Sequence, residues 1–385
     1  MRLNKQDDIS NGGGYRDSNF ELFRIVLMLL IIAHHYVANS DLAARINSTN
    51  ISGQILFLRC FVAWGKIGIN CFVLITGYYM CCSKIRIGKF LRLYFEVVFY
   101  NIVIGLLFEI TGYDHLSLFQ WLKKFITFGN LNEGFTSSYF ILYLFIPFLN
   151  ILVNVMNEKQ HRTLVLLTLC VFSVWSQMPF VVSTVSYLVW FIVLYIVAAY
   201  IRIYNFSFFS NTKFWLIAAI VAVICSISSI LVLSVTIIGN RIPYWYFVAD
   251  SQKITAFAVA LCLFMLFKNM NITYNRFINR IACSIFGVYN IHTNSGAMRQ
   301  WLWNDTFKNS SFFDTPYMIP HAFFSVIVVF VLCTIIDQFR IYFVEKPFLP
   351  IINFFTDTIS HIIRDIEEAI DRKLVYGNIK QNDWK

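Results

Sequence analysis

Apolar runs long enough to cross a bilayer recur along the whole 385-residue chain, and nothing else in the sequence restricts its fold so strongly. A spanning helix needs roughly 17–25 predominantly apolar residues. About ten such runs are legible, near 21–38, 59–80, 90–111, 137–155, 163–180, 185–203, 213–237, 250–267, 281–298 and 321–343. Inside lipid a backbone must satisfy its own polar groups, which a helix does within one segment. The expected fold is therefore an all-α integral membrane protein with about ten transmembrane helices. Composition agrees. Hydrophobic residues make up 58% of the chain, aromatic residues 18%, and charged residues only 14%, where soluble domains carry about 25% charged residues. These values exclude disordered, collagenous and disulfide-scaffold classes. The nine cysteines lie mostly inside apolar runs, as small hydrophobes, and their spacing supports no metal site.

The formal net charge of +10 suggests nucleic acid in a soluble protein, but in a membrane protein it reflects basic cytoplasmic loops. With the N-terminus in the cytoplasm, Lys84, Arg86, Lys89, Arg92, Lys159, Arg162, Arg202, Lys213, Lys268, Arg276 and Arg280 share the inner side with both tails. The outer side keeps a scattered set including Arg45, Arg59, Lys123, Lys124, Arg241, Lys253, Arg299 and Lys308. This asymmetry requires an even number of spans with both termini cytoplasmic, and no nucleic-acid partner. Residues 1–18 then form a cytoplasmic polar tail, 19–350 the membrane domain, and 351–385 a cytoplasmic amphipathic helix and tail. The stripe Phe355, Ile359, Ile362, Ile363, Ile366 and Ile370 carries that last expectation, with membrane lipid as its partner. Leu116 to Phe128 reads as a short interfacial helix on the outer side.

Ionisable residues inside apolar runs are costly and mark function. Arg24 and His35 lie eleven residues apart in the first run. At about 100° per residue that spacing puts both within about 20° of one face, separated by roughly 16 Å along the axis. Arg24 is also placed to pair with Glu21 at i−3. Lys66 falls in the second run near Gly65, Gly68 and Gly77, which permit close helix approach. His292 sits in the ninth run among Tyr289, Asn290 and Asn294. Glu345 closes the tenth run, where it can pair with the basic inner loops. The stretch KIRIGKFLRLYF spaces Lys84, Arg86, Lys89 and Arg92 so that they can surround an anionic ligand such as a nucleotide phosphate, although positive-inside topology alone also accounts for them.

Several of these features, in order, resemble the membrane acyltransferase-3 family. Arg24 and His35 match its R-x10-H signature, and Thr76-Gly77-Tyr78 is similar to its Ser-Gly-Tyr. SSYFILYLFIPFLN, with Tyr139, resembles its aromatic fourth helix; SIFGVYNIH and VEKPF resemble its later motifs. Two positions depart. Lys89-Phe90-Leu91-Arg92 stands where the family carries R-x-x-R, and Ser138 where Trp is common. The resemblance implies transfer of an acetyl group from cytoplasmic acetyl-CoA to a hydroxyl of a cell-surface or lipid-linked polysaccharide, in the plasma or inner membrane. On this reading His35 acts as general base or carries the acetyl group transiently, Arg24 stands beside the donor, Arg86, Lys89 and Arg92 at the CoA phosphates, and Tyr139 or His292 at the acceptor. Succinyl transfer and a polysaccharide exporter or flippase are the alternatives, and a homo-oligomer is open.

Overall fold

A computed structural model of the protein describes residues 17–48, 50–84, 86–126, 134–178, 185–236 and 242–362. Every regular element among the described residues is helical. In chain order they are α1 (Ser18–Ala38), α2 (Leu42–Arg45), α3 (Gly53–Val62), α4 (Gly65–Met80), α5 (Ile87–Thr111), α6 (Leu118–Phe125), α7 (Phe135–Val155) and α8 (Glu158–Leu169). There follow α9 (Tyr187–Tyr204), α10 (Thr212–Val235), α11 (Ile254–Lys268), α12 (Arg276–Ala282), α13 (Ile285–His292), α14 (Gly296–Gln300) and α15 (Met318–Arg340).

Seven of these helical stretches are long and apolar enough to cross a membrane: 18–38, 53–80, 87–111, 135–155, 187–204, 212–235 and 318–362. The other three expected runs are helical but shorter or interrupted. The run near 163–180 passes from α8 into a π-helical turn at Cys170–Val174. The run near 250–267 forms α11, 15 residues long. The run near 281–298 is broken between α12 and α13 at Cys283 and Ser284. The last long helix continues without a stop from α15 through a π turn at Ile341–Glu345 to residue 362. The amphipathic stripe expected from Phe355 onward is exposed at Phe355 and Ile362; its members from Ile363 lie outside the described residues.

α1 is the hub. It packs against α3, α4, α11, α12, α13 and α15, and Phe23, Leu27, Ile32 and Tyr36 are fully buried. In lipid, burial between helices depends on close packing and interhelical hydrogen bonds, because acyl chains are as apolar as leucine. Both are visible. A Cβ on Gly68 would sit 2.7 Å from Ile31 Cγ1, and one on Gly77 2.9 Å from Ala198 Cβ. Buried Asn70 donates to the Ser251 carbonyl at 2.7 Å and accepts from Trp190 Nε1 at 2.9 Å. Outward faces stay apolar, with Leu107, Phe148, Ile217, Phe324 and Phe339 exposed, as a lipid-facing surface requires.

The short helix expected at 116–128 forms over Leu118–Phe125 and packs along α5. Gly112 ends α5 in the left-handed region, φ 69°, and the chain doubles back so that Tyr113 N donates to Phe108 O at 2.9 Å. Ser117 and Gln120 then form a capping box that starts α6. Asn101 Nδ2 donates to Lys124 O at 3.0 Å, and Tyr94 Oη to Phe125 O at 2.8 Å. Seventeen residues of α5 separate Tyr94 from Thr111, about 26 Å. α6 therefore runs back along the flank of α5, with its apolar residues Leu118, Phe119, Leu122 and Phe125 exposed. Trp121 and Lys124 are the more covered residues of α6, and its apolar side chains face away from α5, as a helix in contact with lipid presents them.

Candidate active site

Arg24, Met28 and Ile31 fall on one stripe of α1 and together wall a cavity of about 240 Å³. The facing wall comes from α4 (Ile69, Phe72, Thr76), α5 (Leu93), α7 (Phe135, Tyr139) and the α12–α13 region, including Phe286 and Tyr289. Two predicted groups thus share one cavity, Arg24 and Tyr139. Arg24 Nη1 is paired with Glu21 Oε1 at 2.8 Å. The Thr76 hydroxyl donates to the Phe72 carbonyl at 2.9 Å, so Tyr139 Oη donates to Thr76 Oγ1 across 3.1 Å. The Thr-Gly-Tyr motif and the aromatic helix α7 therefore meet at the cavity wall.

His35 lies one helical turn beyond Ile31, past the end of this wall. It is half-buried and its Nδ1 lies 3.0 Å from His292 Nε2. His292, wholly buried, has Nδ1 2.6 Å from the Val288 carbonyl. That carbonyl only accepts, so the proton sits on His292 Nδ1 and its Nε2 presents a lone pair. His35 then donates from Nδ1, and its Nε2 is left with a lone pair and no proton. Two imidazoles from α1 and α13, 257 residues apart in sequence, fix the tautomer that a general base needs. Tyr289 joins the cavity to this pair: it lines the wall, and its ring meets His292 edge-on at 6.1 Å between centroids. His34 points elsewhere, its Nδ1 held by the Val62 carbonyl at 2.5 Å.

Arg86 caps the start of α5, and Lys89 and Arg92 follow on its first turns, all three exposed. They do not wall the cavity, but Leu93, beside Arg92 and one turn past Lys89, does. Lys66 meets Tyr187, with the ammonium against the phenol oxygen and 5.1 Å from the ring centroid. Among the described residues no group of three or more His, Cys, Asp or Glu is placed to hold a metal ion.

One ionic cluster was not anticipated. Arg340 contacts Asp337 at 2.7 Å, Glu345 at 2.8 Å and Glu96 at 3.3 Å, and Tyr100 Oη donates to Asp337 Oδ1 at 2.8 Å. Glu345 thus pairs with an arginine of its own helix, not with the basic loops. The signal was present: Glu96 and Asp337 are carboxylates inside apolar runs, which demand partners.

The comparisons bear on this geometry. Neither the curated proteins nor the solved structures contain a match to the chain. A family model described as "Acyltransferase domain" matches residues 17–337, a stretch that holds the whole cavity wall and both histidines of the pair. The chain is a multi-pass membrane protein that belongs to the acyltransferase-3 family.

Proposed function

We propose that the protein transfers an acetyl group from cytoplasmic acetyl-CoA to a hydroxyl of a cell-surface or lipid-linked polysaccharide, with His35 as general base. The observation that carries this reading is the His35–His292 pair at the end of a stripe that begins with Arg24 in a cavity wall. The acyl donor enters at the Arg24 end, where Arg86, Lys89 and Arg92 meet its phosphates and the pantetheine arm follows the cavity toward His35. Lys89 serves as a point charge, without the bidentate fork of an arginine.

His35 Nε2 takes the proton of the acceptor hydroxyl as its oxygen attacks the thioester carbonyl. The tetrahedral intermediate collapses, the carbon–sulfur bond breaks, and the imidazolium returns the proton to the departing CoA thiolate. Atoms and charge balance, giving ester and free CoA. His292 holds the His35 ring in its orientation, and Tyr139 positions the substrate where donor and acceptor meet.

The membrane arrangement in this reading has ten crossings, the seven long helices together with α8 and its π turn, α11, and α12–α13. An even count puts both termini on one side, and the Lys/Arg asymmetry supports the cytoplasm as that side. The membrane is the plasma or inner membrane. The test is mass spectrometry of surface glycan from cells lacking the native copy, complemented with wild type or His35→Ala. Acetyl groups restored by wild type and absent with the variant support the reading. Equal acetylation with both sinks the base, a lost succinyl group changes the donor, and polymer retained inside the cell identifies an exporter.

A further inference from the structure

Two cations stand near the His35–His292 pair without carboxylate partners among the described residues. Lys66 begins α4, ten residues and about 15 Å along the axis from Thr76, so it lies at the His35 end, away from the Arg24 end of the cavity. Its place is fixed. A Cβ on the preceding residue, Gly65, would overlap the His34 ring, so the backbone at this point is pressed against α1. The ammonium is held by the Tyr187 hydroxyl, and the Tyr187 ring stacks on buried Phe191 at 5.6 Å and 17°.

Arg299 approaches from α14, seven residues after His292. Its Nε donates to the Ser295 carbonyl at 3.2 Å, which anchors the base of the guanidinium. Its terminal nitrogens make no ion pair among the described residues. Lys66 follows directly on the Gly65–His34 contact, and α14, which carries Arg299, starts four residues after His292 closes α13. Lys66 and Tyr187 thus stand beside the α1 side of the histidine pair, and Arg299 follows its α13 side.

A part-buried ammonium inside an apolar bundle, as Lys66 is, is expensive unless it meets a partner. The Arg24 end has its own cations for the donor, and the long axis of α4 separates them from Lys66. We propose that Lys66, Tyr187 and Arg299 form an anion subsite for the acceptor, so that the hydroxyl acylated belongs to a glycan bearing carboxylate or phosphate groups. This rests on the acyl-transfer reading above. Lys66 and the Tyr187 hydroxyl supply fixed donors, while the planar fork of Arg299 matches a carboxylate or phosphate in bidentate fashion. The anion docked there holds a neighbouring hydroxyl of the same sugar against His35 Nε2.

The test uses the full chain in membrane vesicles with radiolabelled acetyl-CoA. The acceptor is surface glycan stripped from cells lacking the protein and separated by anion exchange into neutral and acidic fractions. Label is expected in the acidic fraction. Lys66→Gln and Arg299→Gln are each expected to raise its half-saturating concentration tenfold or more, leaving that of acetyl-CoA unchanged, and Lys66→Arg is expected to restore most of the loss. Carboxyl reduction of the glycan abolishes labelling if the anion is a uronate, and dephosphorylation abolishes it if the anion is a phosphate. Label in the neutral fraction overturns the subsite, as does labelling that survives both treatments or wild-type saturation in both glutamine variants. Arg299 is exposed, so its variant serves even where Lys66→Gln fails to fold. No label in any fraction overturns the acyl-transfer reading itself.

Discussion

Gly287 on α13 and Asp337 on α15 approach so closely that a methyl group on the former would overlap the carboxylate of the latter. That absence of a side chain lets Asp337 reach Tyr100 and Arg340 at once. Gly287→Ala is expected to displace the carboxylate and unseat Arg340, whose side chain is only 6% exposed. Breaking a buried pair in this way costs about 3–5 kcal/mol. The fall in thermal unfolding midpoint in detergent, followed by tryptophan fluorescence, measures it. A midpoint equal to wild type refutes the packing argument.

His292→Ala removes the acceptor for His35 Nδ1–H and frees the tautomer. Acyl transfer is expected to drop about 100-fold, within the range for disturbed acid–base catalysis. Because the two imidazoles act as one unit, the His35→Ala/His292→Ala double variant should be no worse than His35→Ala alone. Initial rates of CoA release for the four proteins make the comparison. Multiplicative losses would separate the two histidines.

Lys89→Gln combined with Arg92→Gln removes two exposed cations one turn from the cavity wall. The expected result is a KM for acetyl-CoA raised about tenfold with kcat nearly unchanged, as for lost ground-state binding. The salt sensitivity of that KM should shrink as well, since exposed charges are screened by salt. A change in kcat with constant KM contradicts a donor-binding role.

Asn70→Leu leaves the Trp190 indole N–H and the Ser251 carbonyl without their shared partner. Stranding buried polar groups costs about 1–3 kcal/mol, so the variant should unfold at lower temperature than wild type. The rate per folded molecule should hold, because Asn70 lies on neither the cavity wall nor the histidine pair. Activity normalised to the folded fraction decides it.

The period of an α-helix made the Arg24–His35 stripe legible without coordinates, since eleven residues return to nearly the same face. The contact between His35 and His292 was not legible from spacing, because it depends on how α13 packs against α1 across 257 residues of chain. The Asp337–Arg340 pair at i,i+3 was written in the sequence, yet the end of an apolar run is where charges ordinarily meet headgroups, so it drew no notice. Hydropathy found α1, α5, α9, α10 and α15 because their length and composition agree. It overstated the run near 281–298, where Cys283 and Ser284 interrupt the helix without lowering the apolar average. It marked α6 as a short helix but not its partner, the flank of α5.

The position of α6 on the flank of α5 has a consequence for how the protein is made. Eight residues, among them two lysines, cannot be inserted by the translocation machinery as a spanning segment of their own. α5 must already stand in the membrane before α6 can lean on it. α6 therefore docks on α5 after α5 has been inserted, as a later packing step along its flank. Tyr94 and Asn101, whose side chains bond the Phe125 and Lys124 carbonyls, are the residues that fix that docking.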